Sequence, residues 1–305
     1  MLRIFYIFLI CSCCASCLLN AQQNPTFAEY NYNPFIINPA YAGIQESAEA
    51  SLSSLGFLST FDGAPQSSSF TLHTPLSNEK MALGGGIILD EIGVTRATNA
   101  FAAYSYKIFF EEDRPAWQIY DRSAISFGIT AGVLAYQEDL LELDIQGDEN
   151  FAQNVSTTIP TVGVGFLFNK GPFSVGVSTP NILGDALATN DELEVTTPFY
   201  GYAAYRFFLN KFEELVFKPN VLTKLEDGFA QADFNLGVSY IDKLDFGVGY
   251  RTDASFNLFG GFYFWKNFRF IYHYNTATRN APINNTHGVI LSYRFGADGF
   301  ARYRP

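Results

Sequence analysis

Along most of this chain, apolar and polar residues take turns. In "SAISFGITAGVLAY" the apolar set Ile125, Phe127, Ile129, Ala131 and Val133 is interleaved with Ser126, Gly128, Thr130 and Gly132. "QADFNLGVSY" sets Ala232, Phe234, Leu236, Val238 and Tyr240 against Gln231, Asp233, Asn235, Gly237 and Ser239. "KLDFGVGYR", "NFRFIYHY" and "THGVILSYRF" repeat the pattern, with Ile271 the one residue out of phase in the second. Period two is the signature of a strand whose two faces meet different surroundings, and helical spacing is almost absent.

From about Ala48 onward there are roughly fourteen such segments, most about ten residues long, the length a tilted strand needs to cross a bilayer. One face is bulky and aromatic; the other is Gly, Ser, Thr, Asn and some charge, with Asp and Arg sparse. A soluble sandwich would bury its bulky faces against each other. A membrane barrel turns them to lipid and keeps small polar residues inside. The predicted fold is therefore all-β: a transmembrane antiparallel β-barrel of about fourteen strands spanning 46–296, preceded by a short segment (22–45) in the lumen or at the periplasmic mouth. Residues 297–305 form a C-terminal extension.

Connections agree with this reading. Long ones fall near 137–158, 180–195 and 276–285, tight ones at "NKGP", "IDK" and "WKN", and on a fourteen-strand numbering the two kinds occupy opposite ends. An even count places both termini in the periplasm. The long stretch Phe110–Arg122 is the exception, falling on the periplasmic side.

The leader "MLRIFYIFLICSCCASCLLNA" has an early Arg3, an apolar run and a small residue at Ala21, so a secretory signal is expected to be cut between Ala21 and Gln22. The rival reading retains Cys17 as a lipidated N-terminus. All four cysteines lie in this leader, which leaves the mature chain without disulfides, thiolate ligands or a Cys nucleophile. Removing Arg3 takes the net charge from −11 to −12, a balance that argues against nucleic acid as a partner. Chemistry is hard to find elsewhere. His73, His273 and His287 stand alone on strands, no Gly-x-Ser-x-Gly elbow occurs, and "GGG" at Gly84–Gly86 reads as close packing within a strand. The acidic loop Glu138–Asn150 lacks the order of a calcium loop. No enzyme and no cofactor are expected.

The segment before the first strand contains "NPFIINPAYAG", with two Asn-Pro pairs that break regular structure and aromatic and aliphatic residues that call for burial. "PTFAEY" just ahead could form one helical turn. Here the sequence resembles the PorP/SprF family of type IX secretion system membrane proteins of Bacteroidota. The resemblance rests on "QQNPTFAEYNYNPFIINPAYAG" at the start and "THGVILSYRF" at the end, and on "LGGGIILDEIGVTRATNAFAAYSYKI", "IPTVGVGFLFNKGPFSVGVSTPNIL" and "FKPNVLTKL" between. The motif positions are Asn33, Pro34, Asn38, Pro39, Ala40, Tyr41, Ala42, Gly43 and His287. The chain departs from the family at Gly288, where the family usually has Glu, and at Asn24, where it usually has Asp.

The resemblance implies an integral outer-membrane protein, in contact with outer-membrane lipids and with the type IX machinery, that supports secretion or surface attachment of a large adhesin-like protein, gliding adhesins included. The pattern of residues alone leaves a second reading open, a porin-like diffusion channel for small solutes.

Overall fold

The computed structural model describes residues 28–45, 47–56, 63–77, 79–110, 123–145, 152–184, 197–209, 214–226, 228–252, 255–277 and 285–296. Fifteen strand stretches follow three short 3-10 turns: β1 (Glu49–Leu55), β2 (Gln66–Pro75), β3 (Met81–Ile92), β4 (Thr95–Phe109), β5 (Ala124–Glu138), β6 (Val155–Lys170), β7 (Phe173–Thr179), β8 (Phe199–Tyr205), β9 (Phe207–Phe208), β10 (Leu215–Glu226), β11 (Phe229–Tyr240), β12 (Leu244–Arg251), β13 (Ser255–Phe264), β14 (Phe268–Ala277) and β15 (Asn285–Arg294). Every pairing is antiparallel between neighbours, and β1 pairs with β15, so the sheet closes on itself.

β8 and β9 are two parts of one strand. Ala204 pairs with Asn220 and Phe207 with Phe217, one unbroken register along β10. The interruption lies opposite Pro219, which has no N–H to donate to a ladder. Counted this way the barrel has fourteen strands, as the periodicity predicts. β6 runs beyond its neighbour β7, which pairs with it only from Val164 to Lys170. Pro160 sits on that overhang, where a missing donor costs nothing.

The bulky positions face out: Phe127 is 50% and Phe246 58% exposed, while Ser126 between its outward neighbours is fully buried. Outward residues give a single-file apolar band, because ten residues at about 3.3 Å each, tilted about 40°, rise about 25 Å. Aromatic pairs gird the end at which β1 begins and β15 stops: Phe168 with Phe173, Tyr205 with Phe207, Phe264 with Phe268, and Phe268 with Tyr293 and onward to Phe295. This will be called the termini end, and the opposite one the far end.

The tight connections 171–172, 241–243 and 265–267 lie at the termini end, and the long ones 139–154, 180–198 and 278–284 at the far end, as their lengths suggest. The asymmetry is incomplete. β3–β4 and β10–β11 close with tight turns at the far end, and the residues 111–122 of the long exception lie outside the described ones. Two termini-end hairpins turn on left-handed pairs, Ile241–Asp242 (φ 50°, 48°) and Trp265–Lys266 (φ 48°, 60°). Such two-residue turns match the twist of the strands they join, which is why they appear here without the usual Asn-Gly.

Arginine on the outward face must meet hydrocarbon. Phe127→Arg and Phe246→Arg should each lower unfolding free energy in lipid vesicles by about 2–4 kcal/mol near the midplane, whereas the leucine variants should stay close to the native value. Equal losses for Arg and Leu would reverse the assignment of faces.

Candidate functional site

The lumen is occupied by the chain's own N-terminal segment. Ala28–Asn31, Pro34–Ile36 and Pro39–Tyr41 form three consecutive 3-10 turns inside the barrel. The two prolines stand at the first positions of their turns, where the absent N–H is no loss and the fixed φ fits. The Asn-Pro pairs are therefore turn starters as well as breakers. Asn38 adds a cap, its Oδ1 accepting from the Ala40 backbone N–H at 2.9 Å. Of the helical turn expected over "PTFAEY", only the end is described, and it is the first 3-10 turn.

Burial of this plug is nearly complete. Tyr30, Phe35, Ala40 and Ala42 are at most 2% exposed. Its apolar side chains reach three different sectors of the wall: Tyr30, Ile36 and Ile37 pack with Leu222, Phe35 and Ala42 with Ala82 and Ala103, and Tyr32 with Ile271 and Ile290. Ile271, out of phase in the sequence pattern, faces inward as the floor for Tyr32. Each buried apolar side chain contributes about 1.5–3 kcal/mol, which no free 3-10 turn could supply by itself.

Space for the plug comes from inward glycines. A Cβ on Gly128 would lie 2.3 Å from the Ala40 backbone nitrogen, and one on Gly165 would lie 2.1 Å from Asn38 Oδ1. Gly84, in the "GGG" run, admits the ring of Phe35 in the same way. Plug backbone and wall backbone thus touch where any other residue would hold them apart.

The wall also supplies hydrogen bonds that 3-10 turns leave unmade. Arg269 donates to the Tyr32 carbonyl at 2.6 Å, Ser178 to the Ile37 carbonyl at 2.7 Å and Ser105 to the Ala42 carbonyl at 2.8 Å. Lys107, 2% exposed, donates to the Gly43 carbonyl. In the other direction, Asn38 Nδ2 donates to the Phe166 carbonyl at 3.0 Å and more weakly to that of Val177, and Asn33 Nδ2 donates to Thr71 Oγ1 at 2.9 Å. The Tyr30 phenol accepts from Asn235. Burial raises the Tyr30 phenol well above its ordinary range, with Asp233 nearby adding to the effect, so it stays neutral at any physiological pH.

Charge in the lumen is richer than the sequence suggested. Glu49 accepts from Arg269 at 2.9 Å and from Arg294 at 2.7 Å, Asp233 is gripped by Arg251 through two bonds at 2.7 and 2.8 Å, and Asp245 takes Lys218 at 2.9 Å and the Tyr263 phenol at 2.6 Å. The expectation of sparse inward Asp and Arg is corrected. Each strand carries few charges, but the register places opposite signs side by side, as in Glu49 opposite Arg294 and Asp233 opposite Arg251. The lumen wall is held by neutralised pairs and has no single-sign ring among its described residues.

The motif residues Asn33, Pro34, Asn38, Pro39, Ala40, Tyr41, Ala42 and Gly43 come together in the plug. His287 does not join them. It faces outward on β15, with its Nδ1 at 2.6 Å from the Tyr272 hydroxyl. His73 faces in and accepts weakly from the Gly43 N–H through Nδ1 at 3.4 Å. His273 also faces in, and a Cβ on the opposite Gly288 would lie 2.0 Å from its Nε2. The imidazole therefore fills the place where the family's usual acid would begin. Ala21 and Gln22 lie outside the described residues, as do 146–150 of the acidic loop. Sequence reasoning missed Ser105, Lys107, Ser178 and Arg269. Their polarity on an inward face was visible, but their partners are carbonyls 63 to 237 positions away.

A profile described as type IX secretion system membrane protein PorP/SprF matches residues 19–293. The chain belongs to the PorP/SprF family. It is an outer-membrane β-barrel associated with type IX secretion. Its barrel is similar to that of the Acinetobacter baumannii outer membrane protein Omp33, at TM-score 0.50 and 8% identity over 83% of this chain and 100% of that one. It is also similar to a TodX deltaS2S3 mutant monoaromatic hydrocarbon channel, at TM-score 0.54 and 10% identity over 86% and 94%. At such identities the likeness speaks for the fold alone. The comparison with curated proteins gives no match.

Two predictions test the PorP/SprF plug. Glu49→Ala strands two buried cations and should cost about 3–5 kcal/mol in the same vesicle unfolding assay; a change within error would show that Glu49 holds nothing together. In planar bilayers the native barrel should conduct little, and Gly128→Leu, which denies Ala40 its seat, should raise conductance. Identical traces for the two proteins would mean that the plug does not depend on this contact.

Proposed function

We propose that this protein is a closed-lumen accessory of the type IX system that supports secretion or cell-surface attachment of a large adhesin-like protein, of the gliding type among others, and that it catalyses no reaction. Family membership supports the link to type IX secretion. The observation that carries the rest is the plug. A lumen packed with Tyr30, Tyr32, Phe35, Ile36 and Ile37, and bonded to the wall on several sides, leaves little path for solutes.

On this reading the motif Asn33 to Gly43 is structural, and it serves function by keeping the barrel shut and its rims in fixed positions. The lumen pairs Glu49–Arg269 and Asp233–Arg251 are mutually satisfied and hold no free nucleophile or general base aimed at a cavity. The work of the protein then falls to its rims and its outer surface, where a polypeptide partner can reach it.

Deleting the gene should remove one or a few large proteins from the cell surface, with their accumulation inside the cell or loss to the medium, while uptake of small solutes is unchanged. Asn38-Pro39 replaced by Ala-Ala should reproduce that loss, because it removes both the cap and the turn starter. Quantitative surface proteomics beside solute-uptake rates decides the matter. An unchanged surface with slowed uptake would favour the diffusion channel instead.

A further inference from the structure

The plug has a direction. Its last residue, Gly43, sits at the termini end, where a Cβ on it would lie 2.4 Å from Ala82, the second residue of β3, and 3.1 Å from Pro75, the last of β2. The Gly43 carbonyl is held by Lys107, near the close of β4 at the same end. Moving back along the chain, Ala40 lies against Gly128 of β5, Phe35 against Gly84 of β3, and Ile36 and Ile37 in the cluster of Leu222 and Ile88. Tyr30 is highest. It floors a pocket whose walls include Arg251 and Ser255, the residues flanking the β12–β13 turn, and Asn275, two residues from the close of β14. All three lie at the far end.

The route is therefore a descent. The chain comes in past Tyr30 and leaves past Gly43 into β1. Turning back beneath Tyr30 is blocked, since Tyr32, Ile36, Leu222 and Ile271 are each less than 10% exposed and fill that level of the lumen. Above Tyr30 the wall changes character. Asp233 with Arg251, Ser255, Asn257 and Asn275 make a polar rim around an opening.

We infer that the chain enters the lumen through the far mouth, so that the mature N-terminus and the C-terminal tail lie on opposite faces of the outer membrane. The C-terminal side is fixed by β15, whose last residue Arg294 pairs with Glu49, the first of β1, at the termini end. An even strand count places the two ends of the barrel on the periplasmic side, but the plug carries the start of the chain through to the other. The simple expectation of two periplasmic termini holds for the barrel and fails for the chain. Whatever recognises the residues ahead of Ala28 then meets them from outside the cell, beside the Arg251–Asp233 rim. Placement of the plug is also tied to assembly, because a segment that runs the length of the lumen must be inside before β1 meets β15, or be threaded afterwards.

The absence of cysteine after Cys17 makes a direct test possible. Gln23→Cys and Ala301→Cys are introduced singly into the full-length protein and exposed in intact cells to a membrane-impermeant maleimide, with retention of the boiling-dependent gel shift confirming a closed barrel. Gln23→Cys should label in intact cells, and Ala301→Cys only after the outer membrane is permeabilised. Protection of Gln23→Cys in intact cells, whether or not permeabilisation relieves it, overturns the inference, as does labelling of both sites from the same side. A second pair, Asn24→Cys and Tyr303→Cys, serves if either first variant fails to fold.

Discussion

The interaction on which the rest of the structure depends is the hydrogen bonding between the plug's backbone and the barrel's inner side chains. A run of 3-10 turns cannot satisfy its own carbonyls, and a closed lumen has little water to offer them. Arg269, Ser178, Ser105 and Lys107 supply those bonds from β14, β7, β4 and β4 again. Asn38 reverses the traffic by donating to carbonyls of β6 and β7. Each strand in this set is thereby tied to one short segment, and the barrel acquires a centre that its ring of ladders does not provide.

Electrostatics follows from the same constraint. Arg269 bonds the Tyr32 carbonyl and must keep its charge while almost wholly buried, which is tolerable only beside Glu49. Glu49 in turn is shared with Arg294, and Ser292 accepts from Arg269 at 3.0 Å. One plug carbonyl thus accounts for a buried cluster at the seam where β1, β14 and β15 meet. That seam closes the barrel, so the contact that seats the plug and the contacts that complete the ring are parts of a single network. Similar logic at the opposite wall joins Asp245, Lys218 and Tyr263 across β10, β12 and β13.

Most of the fold was legible because period two is local. Phe127 and Phe246 could be assigned to lipid, and Gly128 to the interior, from their immediate neighbours. What could not be read was any relation between distant positions. Nothing near Gly128 or Gly165 distinguishes a glycine that seats a plug from one that merely lightens a strand; the reason lies in Ala40 and Asn38, many strands earlier in the chain. Inward charges looked sparse because each strand offers one or two, whereas their pairing is a property of register. The Asn-Pro motif was recognised as a forced path, yet its prolines start turns rather than only ending them, a distinction set by the wall that receives those turns. His287 was grouped with the motif by sequence and stands apart from it in space, on the outward face beside Tyr272.

A plug that needs glycine at its contacts and donors at its carbonyls constrains the wall far more than lipid does. On the outward face one bulky apolar residue serves about as well as another, since hydrocarbon has no shape to match. On the inward face a single methyl group at Gly128 meets the backbone nitrogen of Ala40 at 2.3 Å, and neither side can yield without moving a strand or a turn. His273 and Gly288 show that two wall positions are bound together in the same manner, because the ring of one occupies the space a side chain on the other would need. The two faces of this barrel thus obey different rules: outside, hydrophobicity suffices, and inside, each residue is fixed by a particular partner. A protein built to pass solutes would have the reverse emphasis, with an inner wall that keeps its distance from anything it surrounds.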